Sequence, residues 1–342
     1  MENRTEISEL GEFGLIDRIT REFVNKNEST KIGIGDDAAV IDGGTDYILL
    51  STDMMVEGVH FDLSYTPIQH LGYKSISINV SDIAAMNGVP LQVVVNLGLS
   101  NRFSVEAVEK LYEGIAAACK DFNVDLVGGD TTSSPAGLIL SVSITGRVAR
   151  DKVALRSKVE KGDIICATGD LGAAYIGLQV LEREKQVFLA NPNMQPNLAS
   201  YSYITERQLK PKARTDIIYE LAELNVKPKA MIDISDGLAS ELFHLAKQSG
   251  VGFFIYEDKL PIDKQTYDTA VEFNIDPITC VMNGGEDYEL LFSISPEDYE
   301  KLKNHRDIHF IGYAAEKGKG INLVTKNQNI VPIKAQGWDH FK

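Results

Sequence analysis

Cysteine, positive charge and long apolar runs are all scarce in this chain, and each shortage removes a class of function. The three cysteines, Cys119, Cys166 and Cys280, lie far apart, with no C-x-x-C pair and no histidine at ligand spacing. Neither a disulfide framework nor a zinc site is built from them, and they read as reduced, mostly buried thiols. Lys and Arg number 34 against 49 Asp and Glu, for a formal net charge of −15. Nucleic-acid binding is built on Lys and Arg contacts to phosphate, so this balance argues against it. The same field repels free ATP, and a nucleotide has to arrive with its metal or meet local Arg and Lys. No stretch approaches the roughly 20 apolar residues of a membrane helix, which argues against a membrane partner. The opening MENRTEISELGEF lacks the apolar stretch of a signal peptide, and the expected location is the cytoplasm. The phosphate-binding pattern G-x-x-x-x-G-K-S/T is missing as well.

What is present is carboxylate, and it is unevenly placed. Acids gather in short clusters punctuated by Gly and Ser: Gly35-Asp36-Asp37, Thr52-Asp53, Ser81-Asp82, Gly128-Gly129-Asp130, Asp233-Ile234-Ser235-Asp236-Gly237 and Gly284-Gly285-Glu286-Asp287. Several carboxylates stay ionised together only where cations or donors neutralise them. The pattern therefore predicts an oxygen-rich site for hard cations, with magnesium and a phosphorylated ligand as first candidates.

At 342 residues and 44% hydrophobic, the chain is long enough for two domains, each with its own core. Apolar spacing predicts a helix over 12–24, a strand over 47–50 ending at Ser51-Thr52-Asp53, and a helix over 70–86 that delivers Asp82 near its end. A β-rich run over 91–97 follows, then a helix capped by Ser104 that runs to Lys120, and a strand over 138–148. The chain turns polar around 158–163, and we place the domain boundary near residue 150, giving domains 1–150 and 151–342. The second half alternates strands (164–168, 230–234, 252–256, 288–294) with helices (173–183, 215–224, 237–248, 296–303). Such alternation predicts an α/β or α+β fold in two layers.

Each cluster alone has an ordinary explanation. Lys31 to Ala39 suits a tight turn, since G-x-G followed by two acids repels a pyrophosphate. Thr52-Asp53 suits a cap, His60 a satisfied structural histidine, and Gly128-Gly129 a glycine turn. Arg147, Arg150 and Arg156 suit a solvated connector, although the Arg156 fork also fits phosphate oxygens. Asp233 to Gly237 is harder to dismiss. It is a strand-to-helix turn whose amides face a ligand, and a cap accounts for one residue but not for two Asp flanking a Ser.

Taken in order, the clusters resemble one family. G-I-G-D-D-A-A at Gly33 to Ala39, S-T-D-M-x-V-E-G-V-H-F at Ser51 to Phe61, S-D-I-A-A-M at Ser81 to Met86 and G-G-D-T-T at Gly128 to Thr132 are joined by D-I-S-D-G-L at Asp233 to Leu238 and G-G-E-D-Y-E-L at Gly284 to Leu290. With the final G-W-D-H-F at Gly337 to Phe341, the set is similar to thiamine-monophosphate kinases over nearly the whole chain. The resemblance implies the two-domain PurM-like fold shared with aminoimidazole ribonucleotide synthetase. In that fold the N-terminal domain forms an inter-subunit β-barrel in a homodimer, and a C-terminal α/β domain packs alongside. It implies ATP as co-substrate with several Mg2+ ions, K+ as a candidate addition, and thiamine monophosphate as acceptor. The implied metal ligands are Asp36, Ser51, Thr52, Asp53, Asp82, Asp130, Asp233 and Asp236, with Asp130, Asp233 and Asp236 catalytic. The implied nucleotide contacts are Tyr112, Gly129, Asp130, Arg156 and Ser235. His60, Glu286 and Trp338 are implied to hold the thiamine phosphate. Trp338 replaces the Tyr frequent in this motif and keeps an aromatic face for a cationic ring. Two other readings of the carboxylates stay open: a metal-dependent phosphohydrolase and a non-catalytic nucleotide- or cation-binding regulator.

Overall fold

The computed structural model describes residues 6–334. The first part of the chain runs α1 (Ile7–Thr20), β1 (Thr30–Ile32), β2 (Ala39–Asp42), β3 (Asp46–Val56), α2 (Ile68–Ala85), β4 (Val89–Leu99), α3 (Val105–Phe122), β5 (Asp125–Ser133) and β6 (Leu138–Ala149). Its strands form one sheet in the order β1-β2-β3-β6-β4-β5, in which only β4 and β5 pair in parallel. The parallel pair requires a crossover, which α3 supplies.

Strand β6 alternates strictly. Leu138, Leu140, Val142 and Ile144 are buried against the helices, and Ser141, Ser143 and Thr145 lie on the opposite face. Each fully buried Leu, Ile or Val stabilises the fold by about 1.5–3 kcal/mol. The opposite face is left open, and Leu50 and Met54 of β3 stand exposed on it. Every residue of edge strand β5 is exposed. Helix α3 begins where Ser104 accepts the Ala107 N–H and ends at Asn123 in the left-handed region, as capping chemistry predicts.

The second part runs β7 (Ile164–Thr168), α4 (Ala173–Ala190), α5 (Ser202–Leu209), α6 (Thr215–Glu223), β8 (Ala230–Asp233), α7 (Leu238–Ser249), β9 (Val251–Tyr256), α8 (Lys264–Glu272), α9 (Pro277–Asn283), β10 (Leu290–Ile294), α10 (Tyr299–Leu302), β11 (Ile308–Glu316), β12 (Ile321–Val324) and β13 (Ile330–Pro332). These strands form a second sheet in the order β13-β12-β9-β11-β7-β10-β8, antiparallel except for β9 with β12.

Helix α2 joins the two parts. Ile76, Val80 and Ile83 pack into the core of the first sheet. Ala84 and Ala85 pack with Met231, Leu290 and Phe292 of the second. A polar stripe at spacing three and four faces the second sheet's elements: Lys74 donates to the Gln208 carbonyl, Ser77 accepts the Ala213 N–H, and Ser81 donates to Asp233. A helix packed on both sides needs such partners for the polar side chains it buries.

Two features of α1 differ from expectation. The helix is displaced towards the N-terminus of the expected 12–24 and is broken at Gly11, whose φ is 65°. Of the apolar residues whose spacing suggests this helix, Leu15 and Ile16 are half-buried while Ile19 and Phe23 are exposed, and Phe13 meets His244 edge-on at 4.5 Å. Periodicity reports a stripe but not whether the chain has a surface to cover it.

The α2–α3 crossing is close enough to require glycine on both helices. A Cβ on Gly114 would sit 1.8 Å from the Gln69 carbonyl oxygen, and one on Gly72 would sit 2.1 Å from that of Leu111. We predict that Gly114→Ala costs about 1–3 kcal/mol by overpacking, read as a lower denaturation midpoint. Gly318→Ala, where nothing lies within 4 Å, serves as the neutral control.

Candidate metal and phosphate site

The acids separated by up to two hundred positions in sequence meet where α2 touches β8. One carboxylate oxygen each from Asp37, Asp82 and Asp233 lie within 4.8 Å of one another. Asp37 comes from the turn before β2, Asp82 from the last turns of α2, and Asp233 from the end of β8. Hydroxyls steady two of them: Ser51 donates to Asp82 at 2.5 Å, and Ser81 donates to Asp233 at 2.6 Å. The Arg156 fork closes on Asp37, at 3.1 Å from Nε and 2.7 Å from Nη2. Burial opposes the charge on Arg156, but Asp37, with Glu241 and Asp233 beyond it, outweighs burial and strengthens its hold on the proton.

The electrostatics record the crowding. Burial, with Asp37 beside it, pushes Asp53 up to about 6. Burial and then Asp37 push Asp233 up to about 8, against the Ser81 hydrogen bond. Burial and the charges of Asp53, Asp233 and Asp37 raise Asp82 well above the ordinary carboxylate range. A site that stores this much repulsion favours a hard cation, and its donors are all carboxylate and hydroxyl oxygen.

The Asp233-to-Gly237 turn opens α7. Glu241, fully buried, reaches back to accept the Asp236 N–H at 3.0 Å, in the manner of a capping box. Burial, then the charge of Asp236, raises the Glu241 carboxyl. The 284–288 loop packs on this turn. Glu286 donates its N–H to the Ser235 carbonyl at 2.7 Å, with Glu286 and Tyr288 both in the left-handed region at φ 66° and 52°. Gly285 permits the approach, because a Cβ there would sit 2.4 Å from the Ser235 carbonyl oxygen.

The expected site residues fall into groups. Asp82 and Asp233 belong to the cluster, Asp53 feels its charge from outside it, and Ser51 donates to Asp82. Asp36 lies next to the cluster, but its Oδ1 accepts the Arg156 backbone N–H at 2.7 Å, and burial raises its carboxyl. Of that pair, Asp37 is the one whose oxygen meets Asp82 and Asp233. Thr52 points to the other face of β3, where its hydroxyl donates to the Val142 carbonyl. Gly129 and Asp130 lie on the exposed strand β5, and Asp130 accepts the N–H of Thr131. Tyr112 stands on α3 beside a shallow groove it shares with Leu99, Phe103 and Val108. His60 accepts the Val56 N–H through Nδ1 at 3.0 Å. Ser235 and Asp236 lie in the turn before α7. Trp338 lies outside the described residues.

Three participants were not singled out from sequence. Asp37 was visible as one of a pair. Glu241 is indistinguishable from any helical Glu until the turn folds back over it. Lys74, which pairs with Glu286 at 2.8 Å, carries a weak signal as the one Lys or Arg of α2.

This architecture defines a class. The AIR synthase related protein N-terminal domain matches residues 35–148, and the corresponding C-terminal domain matches residues 160–321. Full-length relatives narrow it. The chain is 34% identical to thiamine-monophosphate kinase of Bacillus subtilis (strain 168), over 97% of this chain and 100% of that protein. It is also 34% identical to the thiamine-monophosphate kinase of Aquifex aeolicus (strain VF5), over 98% and 99%. A solved structure of AaThiL complexed with AMPPCP and TMP superposes with a TM-score of 0.84 at 32% identity, covering 99% of this chain and 100% of that one. The chain belongs to the thiamine-monophosphate kinase family, within the PurM-like superfamily.

The raised carboxyls carry a pH signature. Asp53 and Asp233 ionise from an ordinary value of 3.8 when unfolded, and near 6 and 8 when folded. The folded state therefore holds more protons between these values. Their protonation contributes stability that is fully present below about pH 4 and lost as pH rises through 6 and then 8. Without divalent cation, the melting temperature should fall between pH 5 and pH 8.5, and Asp233→Asn should flatten that fall. A wild-type melting temperature that rises over this range would contradict the assignment.

Proposed function

We propose that this chain phosphorylates thiamine monophosphate with ATP, giving thiamine diphosphate and ADP by direct in-line transfer. The observation that carries the reading is the convergence of Asp37, Asp82 and Asp233 in a chain whose full-length relatives are thiamine-monophosphate kinases. An oxygen of the acceptor phosphate bonds to the γ-phosphorus as the bond to the bridging β,γ-oxygen breaks, and ADP leaves with that electron pair. The acceptor, a phosphate monoester with a second pKa of about 6, is already largely dianionic at neutral pH and needs no general base. The barrier is repulsion between anions. Two unit charges about 4 Å apart oppose one another by about 4 kcal/mol at an effective dielectric of about 20, per charge pair.

Magnesium bound by the carboxylates would neutralise phosphate oxygens and fix their approach. We assign its ligands to Asp37, Asp53, Asp82 and Asp233, with Asp36, Ser51, Thr52, Asp130 and Asp236 as the further members that the family pattern implies; K+ is a candidate addition. Asp130, Asp233 and Asp236 are the proposed catalytic acids. Tyr112, Gly129, Arg156 and Ser235 are the proposed nucleotide contacts, and His60, Glu286 and Trp338 the proposed acceptor contacts. The proposed division of labour falls at residue 150, with the working location the cytoplasm.

A homodimer is part of the reading. The open face of the first sheet exposes Leu50 and Met54, and β5 is an exposed edge along its whole length. Such an edge invites pairing. A second copy seated there would close the sheets into the inter-subunit barrel that the resemblance implies. Sedimentation should give a dimer, and the double variant Leu50→Glu/Met54→Glu should give a folded monomer.

The deciding assay couples ADP release to a spectroscopic signal and compares thiamine monophosphate with thiamine and with other phosphate monoesters. Turnover should be confined to thiamine monophosphate and lost on chelation of divalent cations. Asp37→Asn and Asp236→Asn should each lower kcat by about 100-fold or more, as loss of a preorganised electrostatic group does elsewhere. Inorganic phosphate released from thiamine monophosphate without ATP would indicate a phosphohydrolase instead. ATP left intact after long incubation would indicate a binding regulator.

A further inference from the structure

Lysine is seldom buried without a purpose, and Lys74 is buried to 4% side-chain exposure in the middle of the joint between the two sheets. Its ammonium has three donors. One meets Glu286 Oε1 at 2.8 Å and another the Gln208 carbonyl at 3.0 Å. Glu286 Oε2 in turn accepts from the Gln208 side-chain amide. Both carboxylate oxygens are therefore tethered from one side, while Glu286 keeps 28% of its side chain exposed. A carboxylate has about four lone-pair sites, so tethering leaves acceptor capacity towards the open side.

The location makes the tether consequential. Glu286 donates its N–H to the Ser235 carbonyl at 2.7 Å, inside the turn that carries Asp233 and Asp236, so it stands next to the segment that brings Asp233 to the cluster. An untethered Glu286 could turn to whatever cation the cluster holds. With Lys74 and Gln208 in place, both Glu286 oxygens are already engaged away from the cluster.

We propose that Lys74 is a positioning residue for acceptor recognition, fixing Glu286 as the carboxylate that meets the cationic heterocycle of thiamine monophosphate. The proposal rests on the kinase reading above and adds a residue to it. A quaternary thiazolium offers no N–H, so its recognition by a carboxylate depends on charge at a fixed place, which is what a two-point tether supplies.

The test is a double-mutant cycle on the full-length protein, with KM and kcat measured for each substrate. Lys74→Met should raise KM for thiamine monophosphate by about ten-fold, equivalent to about 1.4 kcal/mol, with KM for ATP within about two-fold of wild type. Lys74→Arg should recover most of the loss. Glu286→Gln should raise the same KM, and Lys74→Met/Glu286→Gln should be no worse than Glu286→Gln alone, because the lysine acts only through that carboxylate. Additive losses, or equal losses for ATP and thiamine monophosphate, would overturn the proposal and leave Lys74 a purely structural residue. If Lys74→Met does not fold, Lys74→Gln takes its place with the same outcomes. A wild-type protein that does not phosphorylate thiamine monophosphate would instead fail the kinase reading itself.

Discussion

Like-charge repulsion at the junction of the two sheets is the constraint around which the rest of the molecule is arranged. Asp37 and Asp82 come from the first sheet's elements and Asp233 from the second's. Folding must bring them together against their own field in a buried place. The chain offsets part of that cost locally, with the Arg156 fork on Asp37 and the hydroxyls of Ser51 and Ser81 on Asp82 and Asp233. The remainder appears as carboxyls that hold their protons far above the ordinary range. A cation bound there, as proposed, would turn that stored repulsion into affinity by neutralising it.

Helix α2 makes such an arrangement possible. It is buried on both sides, so it can present apolar residues to one sheet and a hydrogen-bonded stripe to the other. Its deep seat depends on Gly72 and Gly114, which bring α2 and α3 into backbone contact. The same helix then carries Lys74 at one level, Ser77 and Ser81 further along, and Asp82 at the cluster. Rigidity follows from this. A site assembled on a packed helix and the end of a buried strand holds its donors more firmly than one assembled on loops.

Much of this was legible in the sequence, and the illegible parts have a common cause. The long alternating strand β6, the Ser104 cap and the strand-turn-helix at Asp233 are local patterns, governed by periodicity and capping, and they appear as expected. The ordered motifs carried the family because their number and sequence are specific even where each member is not. The orientation of adjacent residues was not legible. Asp36 and Asp37 are chemically identical in the chain, yet one accepts the Arg156 amide and the other meets Asp82 and Asp233. Thr52 follows Ser51, but the two-residue period of a strand sends its hydroxyl to the opposite face. Glu241 and Lys74 act through partners that only tertiary folding supplies, and the stripe on α1 shows the converse, a local pattern with little tertiary surface to meet it.

The two glycine motifs of the second sheet's elements are better understood as one object. Gly285 lies against the Ser235 carbonyl, and a Cβ on Gly237 would sit 2.9 Å from the carbonyl of Gly284. The Glu286 amide donates to Ser235, while Tyr288 donates its N–H to the Ile234 carbonyl at 2.9 Å. The loop that carries Glu286 therefore cannot shift without moving the turn that carries Asp233 and Asp236. Left-handed backbone at two non-glycine residues, Glu286 and Tyr288, is costly and persists only where surrounding contacts over-determine it. In-line transfer between two phosphates requires donor and acceptor to be held in a fixed relation to one another. If the two loops hold donor and acceptor as proposed, their interlocking would provide that relation through the backbone itself.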